Sequence, residues 1–547
     1  MVTTSQTALV LGIPGFVYAD LFSPHGLRRL HDIWRRELDP VLSQKYAAYQ
    51  AGAAFSPTEL SALLCELAAT MTPFLTRLFP DIAKPCEAFV QQAEIDAALF
   101  REKTDASKRR ANKQTQLPTV RPDPALPEAM AGLPEQERAR DGFGLTDPRK
   151  TRHAVSEEVE ACLLCHERNK DSCQKGLWDK QGTLKKNALG VSLSGCPLHE
   201  KISEMNARRL AGDPLGALAL VMLDNPMCAG TGHRICNDCM TACVFQKQVP
   251  INIPEIETSV LVDVLKLPWG VELYGLLLRW NPLSKTRPFP LPHNGKKVLV
   301  VGLGPAGYTL VHHLVREGFA VVGIDGLKLE PLPKEQTGDL ARGVLPRPVQ
   351  NLAELQKPLD ARVVLGFGGV SEYGITVRWD KNFLSLLYLS LLREPLVCFV
   401  GGVRFGGTLT LEDAWRLGFD HVALATGAGK PTLIRMEGNL CRGMRQSSDF
   451  LMGLQLSGAF RKDTLANLQV RLPAMVIGGG LTAIDTATEL SAYYVVQTEK
   501  VLARWETLCH EADETTLLAR FDAEERQILS AWLEHGRAFR QQREQAG

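Results

Sequence analysis

The sequence feature that most constrains the fold is an apolar run ending in a glycine loop, Lys297-Val-Leu-Val-Val-Gly-Leu-Gly-Pro-Ala-Gly307. A buried strand followed at once by Gly-x-Gly-x-x-Gly is typical of a dinucleotide-binding unit. In such a unit Gly302 permits a tight turn, Gly304 lets the backbone approach a pyrophosphate, and Gly307 allows a helix to pack closely on the strand. The run therefore predicts a parallel α/β domain around a dinucleotide site.

The residues after the loop complete the pattern. Pro305 and Ala306 open an apolar helix that continues through Tyr308–Arg316, and the free N–H groups at its start would favour a phosphate. The next apolar run, Ala320-Val-Val-Gly-Ile, ends at Asp325, 23 residues after the first glycine of the loop. A ribose-binding carboxylate is expected at that position.

Two later segments repeat parts of this pattern. Asp420-His-Val-Ala-Leu-Ala-Thr-Gly427 predicts a strand that ends at Thr426 and Gly427 in a chain reversal against the nucleotide. Pro473-Ala-Met-Val-Ile leads into Gly478-x-Gly480-x-x-Ala483 and predicts a second strand, loop and helix. Two such units fit one flavin and one nicotinamide nucleotide. A purely structural strand-to-helix turn is the alternative for the second.

Eight of the thirteen cysteines form two tight groups before the glycine loop. The first group is Cys162, Cys165, Cys173 and Cys196, and the second is Cys228, Cys236, Cys239 and Cys243. Eight soft thiolates suit two [4Fe–4S] clusters, each of which takes about four. Pro197 follows Cys196, as a proline follows the last cysteine of bacterial ferredoxin motifs, and that cysteine ligates the other cluster. The sequence therefore does not fix which cysteines share a cluster.

Structural zinc sites are one alternative for these cysteines, because they too use C-x2-C pairs, and thiols without any metal are the other. The gaps of seven and 22 residues in the first group match regular zinc knuckles poorly. His166, His199 and His233 lie near the cysteines in sequence and are expected to surround them or to face solvent rather than to act as ligands. The other cysteines are expected to be dispensable for iron binding: Cys65, Cys86, Cys398, Cys441 and Cys509.

Charge and hydropathy exclude some partners. Lys plus Arg is 62 and Asp plus Glu is 61, so the net charge of +1 gives no sign of a nucleic acid partner. The apolar stretch Val260–Trp280 contains several charged residues and predicts a buried helix rather than a membrane span. The first residues show no basic and apolar leader pattern, so a cytoplasmic location is expected.

The predicted architecture is α/β, with an N-terminal helical domain, a helical iron–sulfur module, a doubly wound dinucleotide-binding domain and an incomplete second one. The composition shifts to charged residues and proline after residue 100, which indicates a linker with one short helix near Glu135. The predicted boundaries are 1–100 for the helical domain, 101–152 for the linker, 153–260 for the cluster module, 261–294 for a connecting segment, 295–470 for the FAD-binding domain, 471–490 for the partial NAD(P)-binding unit and 491–547 for a helical tail.

Over about residues 155–490 the chain resembles the small, electron-input subunit of glutamate synthase and the related N-terminal half of dihydropyrimidine dehydrogenase. The resemblance rests on the cysteine groups, the glycine loop and four further stretches: Thr231-Gly-His-Arg-Ile-Cys236, Thr408-Leu-Thr-Leu-Glu-Asp413 before Gly418, Ala425-Thr-Gly-Ala428, and Gly478-Gly-Gly-Leu-Thr-Ala-Ile-Asp485. Residues 1–150 lie outside it.

The resemblance implies that NAD(P)H reduces FAD and that two [4Fe–4S] clusters carry the electrons to a partner subunit or domain. The flavin would carry the chemistry, so no catalytic side chain is assigned. By position the FAD site would include Gly302, Gly304, Pro305, Ala306, Gly307, Asp325, Thr426 and Gly427, and the NAD(P) site would include Gly478, Gly480 and Ala483.

The chain also departs from that family. Leu481 stands where the family usually has asparagine, no second strand follows the second loop, and the late Gly-Asp segment that closes over the flavin is missing. We therefore expect a redox partner subunit or a C-terminal continuation to complete the nicotinamide site. The alternative is a non-catalytic iron–sulfur and FAD scaffold, or assembly subunit, of a larger redox complex.

Overall fold

The computed structural model describes residues 9–102, 119–120, 124–125, 131–132, 140, 142–145, 149–232, 235–376 and 380–546. These residues belong to two compact units. The first combines the N-terminal helices, the cysteine region and a parallel sheet, and spans residues 1–118, 149–356 and 383–426. The second is mainly helical and spans residues 119–148, 357–382 and 427–547. The predicted mixture of helices with a parallel α/β sheet is confirmed.

The N-terminal region is helical, as predicted. Its third helix begins where the sequence indicates, because Ser56 caps it, Pro57 occupies its first position and Glu59 returns a side-chain bond to the Ser56 N–H. The helices here are Pro24–Arg36, Pro40–Gln50, Pro57–Ala69, Met71–Leu78 and Ala83–Glu102, with 3-10 turns at Tyr18–Phe22 and Pro80–Ile82.

The cysteine region consists of short helices joined by turns. The stretch Val260–Trp280, predicted as one buried helix, contains parts of two buried helices with a break between them. The helices of this region are Arg152–Glu160, Ser172–Lys175, Ile202–Leu210, Pro214–Asp224, Cys228–Thr231, Asp238–Thr241, Ile253–Leu265 and Gly270–Arg279, with a 3-10 turn at Cys165–Arg168.

Within the described residues no single helix has the length and apolar composition needed to cross a membrane. Two consecutive helical segments, Pro57–Leu78 and Pro80–Leu99, have the required length and composition only when they are taken together, and the chain bends by 118° between them. Many apolar side chains of that pair, including Leu63, Leu67 and Leu75, are buried in the N-terminal core.

A four-stranded parallel sheet follows. Two-residue strands β1 (Thr119–Val120) and β2 (Ala131–Gly132) pair with each other in the second unit, and the sheet of the first unit contains β3 (Lys297–Val301), β4 (Ala320–Asp325), β5 (Val397–Gly401) and β6 (His421–Leu424). The strand order is β5-β4-β3-β6, so the predicted glycine-loop strand lies in the centre. Its last four residues are buried, as expected for a strand covered on both faces. The first unit also contains the helices Pro305–Arg316, Lys334–Thr337, Asn382–Leu392 and Leu411–Arg416, with 3-10 turns at Leu340–Arg342 and Leu352–Leu355.

A buried ion pair connects the three parts of the first unit. Glu272, in the second helix of the 253–279 segment, lies 3.0 Å from Nη1 of Arg393, the residue that follows the helix Asn382–Leu392. The same carboxylate accepts hydrogen bonds from the Tyr18 hydroxyl at 2.9 Å and from the Val349 N–H at 2.7 Å. Burial and the Glu272 charge raise the pKa of Tyr18, so its hydroxyl stays a donor. N-terminal, cysteine-region and nucleotide-domain residues therefore meet at one carboxylate.

The second unit has a helical core instead of a second sheet. Leu481–Glu511 packs against Ala523–Ala546, and Phe450, Tyr493 and Trp532 are buried between the helices of this unit. Its helices are Ser447–Ser457, Leu481–Glu511, Glu514–Leu518 and Ala523–Ala546, with a 3-10 turn at Gly369–Glu372.

The strand predicted at Pro473–Ile477 is wrong. These residues form no strand with any described segment, and the Met475 side chain is 85% exposed. An extended segment needs a neighbouring strand to bond its backbone groups, and the apolar run alone could not show that this neighbour is missing. The helix after the loop also runs without a break across the predicted 490/491 boundary. The helix predicted near Glu135 lies outside the described residues.

The Glu272–Arg393 pair should be essential for stability. Changing Glu272 to Gln leaves a buried arginine without its counter-charge, which typically costs about 3–5 kcal/mol. The matched control is Glu66→Gln, which breaks the exposed Lys45–Glu66 pair and should cost about 1 kcal/mol or less. Urea unfolding of both variants measures the difference. Equal losses in the two variants would contradict this assignment.

Candidate functional site: a glycine loop and two sets of thiols

The glycine loop follows the central strand and has the geometry that a dinucleotide needs. Gly302 has φ of +100°, and a Cβ there would lie 2.4 Å from the Ala425 carbonyl oxygen. A Cβ on Gly307 would lie 1.8 Å from the Gly302 carbonyl oxygen. Only glycine therefore fits either position without a backbone shift.

The helix after the loop, Pro305–Arg316, is called the loop helix here. Gly304 is its N-cap, and no side chain caps it. The N–H groups of its first turn, which includes Ala306, are thus available to an anion such as a pyrophosphate. This is where the sequence placed the phosphates.

Two chain reversals enclose the loop at the carboxyl end of the sheet. Asp325 ends β4, and its two carboxylate oxygens accept the N–H groups of Leu303 and Leu327, each at 3.0 Å. The Ala425 N–H bonds to Val301 at the end of β3, which brings Thr426 beside the first glycine. The structure therefore brings together the loop, Asp325 and Thr426. Gly427, with φ of +69°, follows them in sequence.

The second loop is a helix start without a strand. Gly478 has φ of +138°, and a Cβ there would lie 3.2 Å from the Ala483 Cβ. Gly480 is the N-cap of the long helix and has no side-chain cap. These three residues are close together, but the sheet that would position a nucleotide against them is not formed in the described part of this unit.

One set of four thiols lines a single cavity in the cysteine region. The set contains Cys162, Cys165, Cys173 and Cys243 and is called the cavity set. Burial, together with the nearby Cys162 and Cys243, raises the pKa of Cys165 to about 11. Burial also raises the pKa of Cys173, again with contributions from Cys162 and Cys243. Four mutually close thiols face one space.

The other four cysteines form the carboxylate set, Cys196, Cys228, Cys236 and Cys239. Burial raises the pKa of Cys196 to about 11, and Glu200 and Cys236 contribute. Burial raises the pKa of Cys239, with contributions from Glu257, Cys196, Cys236 and Glu200. Cys228 is fully enclosed, and its pKa is raised by burial and by the same two glutamates. Buried carboxylates therefore surround this set.

The two sets differ from the two groups in the sequence, because one cysteine of each group is exchanged. Cys196 lies with the second group, and Cys243 lies with the first. The physical cause is the packing of the short helix Ser172–Lys175 on the short helix Asp238–Thr241. This packing places Cys239 close enough to Cys173 to affect its pKa, and Cys243 then continues into the cavity.

The carboxylate set also reaches the loop helix. The fully buried Tyr308, in the first turn of that helix, points its hydroxyl at Gly230, where a Cβ would lie 2.6 Å from the oxygen. Gly230 is two residues after Cys228, and Cys228 contacts the hydroxyl of Tyr274. A continuous packed path thus connects the glycine loop to one thiol set and, through Cys239 and Cys173, to the other.

Sequence reasoning missed Tyr308, Gly230 and the glutamates Glu200 and Glu257. Nothing in the spacing of these residues indicates a role. The cysteine exchange had a signal, since Pro197 after Cys196 is the ferredoxin pattern in which the last cysteine leaves its own group. Among the histidines, His166 is buried with Nδ1 2.6 Å from the Ser203 hydroxyl, His199 is exposed, and His233 is outside the described residues.

Within the described ranges, no three His, Cys, Asp or Glu side chains are placed to hold a metal ion as they stand. Iron–sulfur ligation by the two thiol sets therefore stays a prediction. Of the cysteines expected to be dispensable, Cys86 is buried in the N-terminal core, Cys65 is partly buried, and Cys398, Cys441 and Cys509 are exposed.

Comparison with known proteins supports an oxidoreductase. Residues 296–535, just under half of the chain, match the family model for pyridine nucleotide-disulphide oxidoreductases. This stretch begins at β3 and includes both glycine loops. The match supports an oxidoreductase, and the family implies FAD and NAD(P)H binding.

Curated relatives include one uncharacterized protein and glutamate synthase small chains. An uncharacterized protein of Rickettsia prowazekii is 44% identical over 315 residues, which is 58% of this chain and 42% of that protein. The glutamate synthase [NADPH] small chain of Bacillus subtilis is 25% identical over 296 residues, 53% of this chain and 49% of its own length. The corresponding small chain of Mycobacterium tuberculosis is 25% identical over 260 residues, 47% of this chain and 42% of its own length. The chain thus spans less than half the length of these relatives.

The Gly307→Ala variant should lose the loop conformation. Its new Cβ would overlap the Gly302 carbonyl, and relieving that overlap by a backbone shift typically costs about 1–3 kcal/mol and would displace the pyrophosphate position. The matched control is Gly407→Ala, whose Cβ would meet nothing closer than 3.8 Å. FAD retained after purification and after reconstitution is the measurement. Full flavin content in Gly307→Ala would rule out this loop as the FAD site.

Proposed function

We propose that this chain is a flavin- and iron–sulfur-dependent electron-transfer oxidoreductase. It would take hydride from NAD(P)H at FAD and pass single electrons through two [4Fe–4S] clusters to a partner subunit or a C-terminal continuation. The observation that carries the proposal is the packed path from the glycine loop through Tyr308 and Gly230 to Cys228. A site built only for nucleotide binding would not need eight thiols along such a path.

The residues present fit FAD at the first loop. Gly302 and Gly307 keep the backbone open where a side chain would block it, and the uncapped start of the loop helix supplies donors for the pyrophosphate. Asp325 uses one acceptor position on each oxygen for a backbone N–H, which leaves further lone pairs for ribose hydroxyls. Bound FAD would supply the exchange between two-electron and one-electron chemistry.

The two thiol sets fit iron–sulfur clusters in number and chemistry. Each has four cysteines, the usual complement of a [4Fe–4S] cluster, which supplies single-electron transfer when bound. The carboxylate set is nearer the loop helix, so its cysteines would receive electrons first and the cavity set would deliver them onward. Glu200 and Glu257 lie beside the carboxylate set, and a negative charge on this pair would lower the reduction potential of a cluster held there.

A second candidate function follows from the missing strand at Pro473–Ile477. Among the residues that the structure describes, no sheet adjoins the loop at Gly478, Gly480 and Ala483 to support a nicotinamide nucleotide, which favours a scaffold that keeps FAD and clusters without accepting hydride itself. A return strand from a partner or continuation would restore the site, because that strand presents the ribose-binding side chain in a βαβ unit.

Anaerobic mixing of the flavin-loaded chain with NADH or NADPH separates these functions. The chain alone should show slow bleaching of the flavin absorbance and weak nicotinamide affinity. Co-expression with the completing strands should sharply increase the bleaching rate and the affinity. Rapid bleaching at micromolar NAD(P)H by the 547-residue chain would show that its own nicotinamide site is complete. No bleaching with the completing strands present would favour the scaffold.

A further inference from the structure

The gap of 22 residues between Cys173 and Cys196 folds as a small element of its own. This element, residues 176–195, is called the lobe. It folds back on itself through antiparallel backbone bridges. Each of its two turns is closed by one side chain, because Oδ1 of Asp179 and Oδ1 of Asn187 each accept two backbone N–H groups at 2.9–3.0 Å. The lobe therefore presents its side chains on a defined backbone.

The base of the lobe is attached directly to the thiols. The Cys196 N–H donates to the Cys173 carbonyl at 2.8 Å, so one cysteine of each set lies at the base. The indole Nε1 of Trp178 donates to the Lys175 carbonyl at 2.8 Å, and Lys175 belongs to the same one-turn helix as Cys173. The helix that positions a thiol of the cavity set thus also positions the lobe.

The surface of the lobe combines apolar side chains with positive charge. Three large apolar side chains are exposed: Trp178 by 52%, Leu189 by 87% and Val191 by 58%. Three lysines are also exposed, Lys180, Lys185 and Lys186, and none forms an ion pair with another residue that the structure describes. The lobe has one acidic residue, Asp179, so its formal charge is +2 in a chain whose total is +1. The lobe is thus a local concentration of positive charge around exposed apolar groups.

The cavity set opens to the surface as well. Leu163 and Val244 line its cavity, and their side chains are 38% and 42% exposed. An electron that reaches these thiols is therefore close to solvent, and it can leave the chain only if an acceptor is held nearby.

From these observations we propose that the lobe is the docking surface for an acidic, electron-accepting protein. The proposal rests on the proposed function, in which electrons leave through the cavity set. Trp178, Leu189 and Val191 would form the apolar centre of the interface, and the three lysines would meet carboxylates around it. The partner is a one-electron acceptor: it gains the electron that this chain loses, and no bond forms or breaks.

A nucleic acid would also be attracted by the lysines. Its affinity would come mainly from phosphate contacts, for which exposed aliphatic side chains such as Leu189 and Val191 have no use. An apolar centre with a charged rim is instead the usual composition of a protein–protein interface. The surface therefore favours a protein partner.

A plant-type ferredoxin, which is strongly acidic, is the probe, and the basic cytochrome c is its control. Calorimetric titration of the full chain at low salt, with all proteins oxidised, measures binding without requiring electron transfer. The ferredoxin should bind with an affinity that falls as salt is added, and cytochrome c should bind about tenfold or more weakly. Equal binding of the two proteins, or no saturable ferredoxin binding, would overturn the proposal.

Charge reversal tests the lysines. Combining Lys180→Glu, Lys185→Glu and Lys186→Glu should weaken ferredoxin binding about tenfold or more at low salt and much less at high salt. The matched control makes the same change in net charge at three exposed lysines outside the lobe, Lys84, Lys334 and Lys462. Equal losses in the two triple variants would show an effect of net charge alone and contradict the assignment.

A second pair of variants tests the apolar centre. Trp178→Ala should weaken ferredoxin binding about tenfold or more, because a central tryptophan commonly dominates an interface. Its control is Trp415→Ala, since Trp415 is 47% exposed in the helix Leu411–Arg416, outside the lobe. Unchanged binding in Trp178→Ala would remove the lobe from the interface.

The iron content and flavin bleaching of each variant report separately on the proposed function. Both should be unchanged in the lobe variants, because the altered side chains are exposed. A chain with full iron but without lobe-dependent binding would overturn the docking surface alone. Lobe-dependent binding by a chain that holds no iron would overturn the proposed function and still support docking of an acidic protein. Tighter lysine-dependent binding of a short single-stranded DNA than of ferredoxin would assign the lobe to nucleic acid and overturn the proposal.

Discussion

The first unit depends on the carboxylate of Glu272. It is buried with Arg393 and accepts further bonds from Tyr18 and Val349, so residues from three parts of the sequence satisfy one charge. A buried ion pair is costly to form and more costly to break, and it therefore acts mainly as a constraint on arrangement. Here it fixes the N-terminal helices and the cysteine region against the parallel sheet. The contact between Tyr308 and Gly230, which brings the glycine loop beside the thiols, lies within the same unit.

The order of the thiols is a consequence of packing between very short helices. Ser172–Lys175 and Asp238–Thr241 are too short to be stable alone, so their position is set by the residues that surround them. Their contact exchanges Cys196 and Cys243 between the two groups and connects the sets through Cys173 and Cys239. The same region meets the loop helix through Tyr308 and Gly230. A path for electrons in this molecule would follow these contacts.

Local rules predicted much of the fold. The cap at Ser56, the loop at Gly302 and the strand ending at Asp325 each follow from short-range geometry that a few residues determine. The central strand of the sheet was predictable because a parallel strand is apolar throughout. These features need no knowledge of distant partners.

The remaining features depend on contacts between distant residues. The apolar run Pro473–Ile477 has the composition of a strand but pairs with no segment that the structure describes, and composition does not reveal this. The exchange of Cys196 and Cys243 was open in the sequence and was decided by tertiary packing. In the sequence Tyr308 is an ordinary residue of an amphipathic helix. Its position near Cys228 results from the packing of the loop helix on the cysteine region.

The central claim is that two thiol sets, each mixing both sequence groups, hold one cluster each. The most direct measurement is electron paramagnetic resonance of the reduced chain after anaerobic reconstitution with iron and sulfide, comparing Cys162→Ala, Cys243→Ala, Cys196→Ala and Cys239→Ala. About eight irons are expected in the unaltered chain. The first two variants should lose or alter one and the same signal, and the last two should affect the other. A Cys243→Ala spectrum that matches Cys239→Ala, or stoichiometric zinc without any iron signal, would contradict the account.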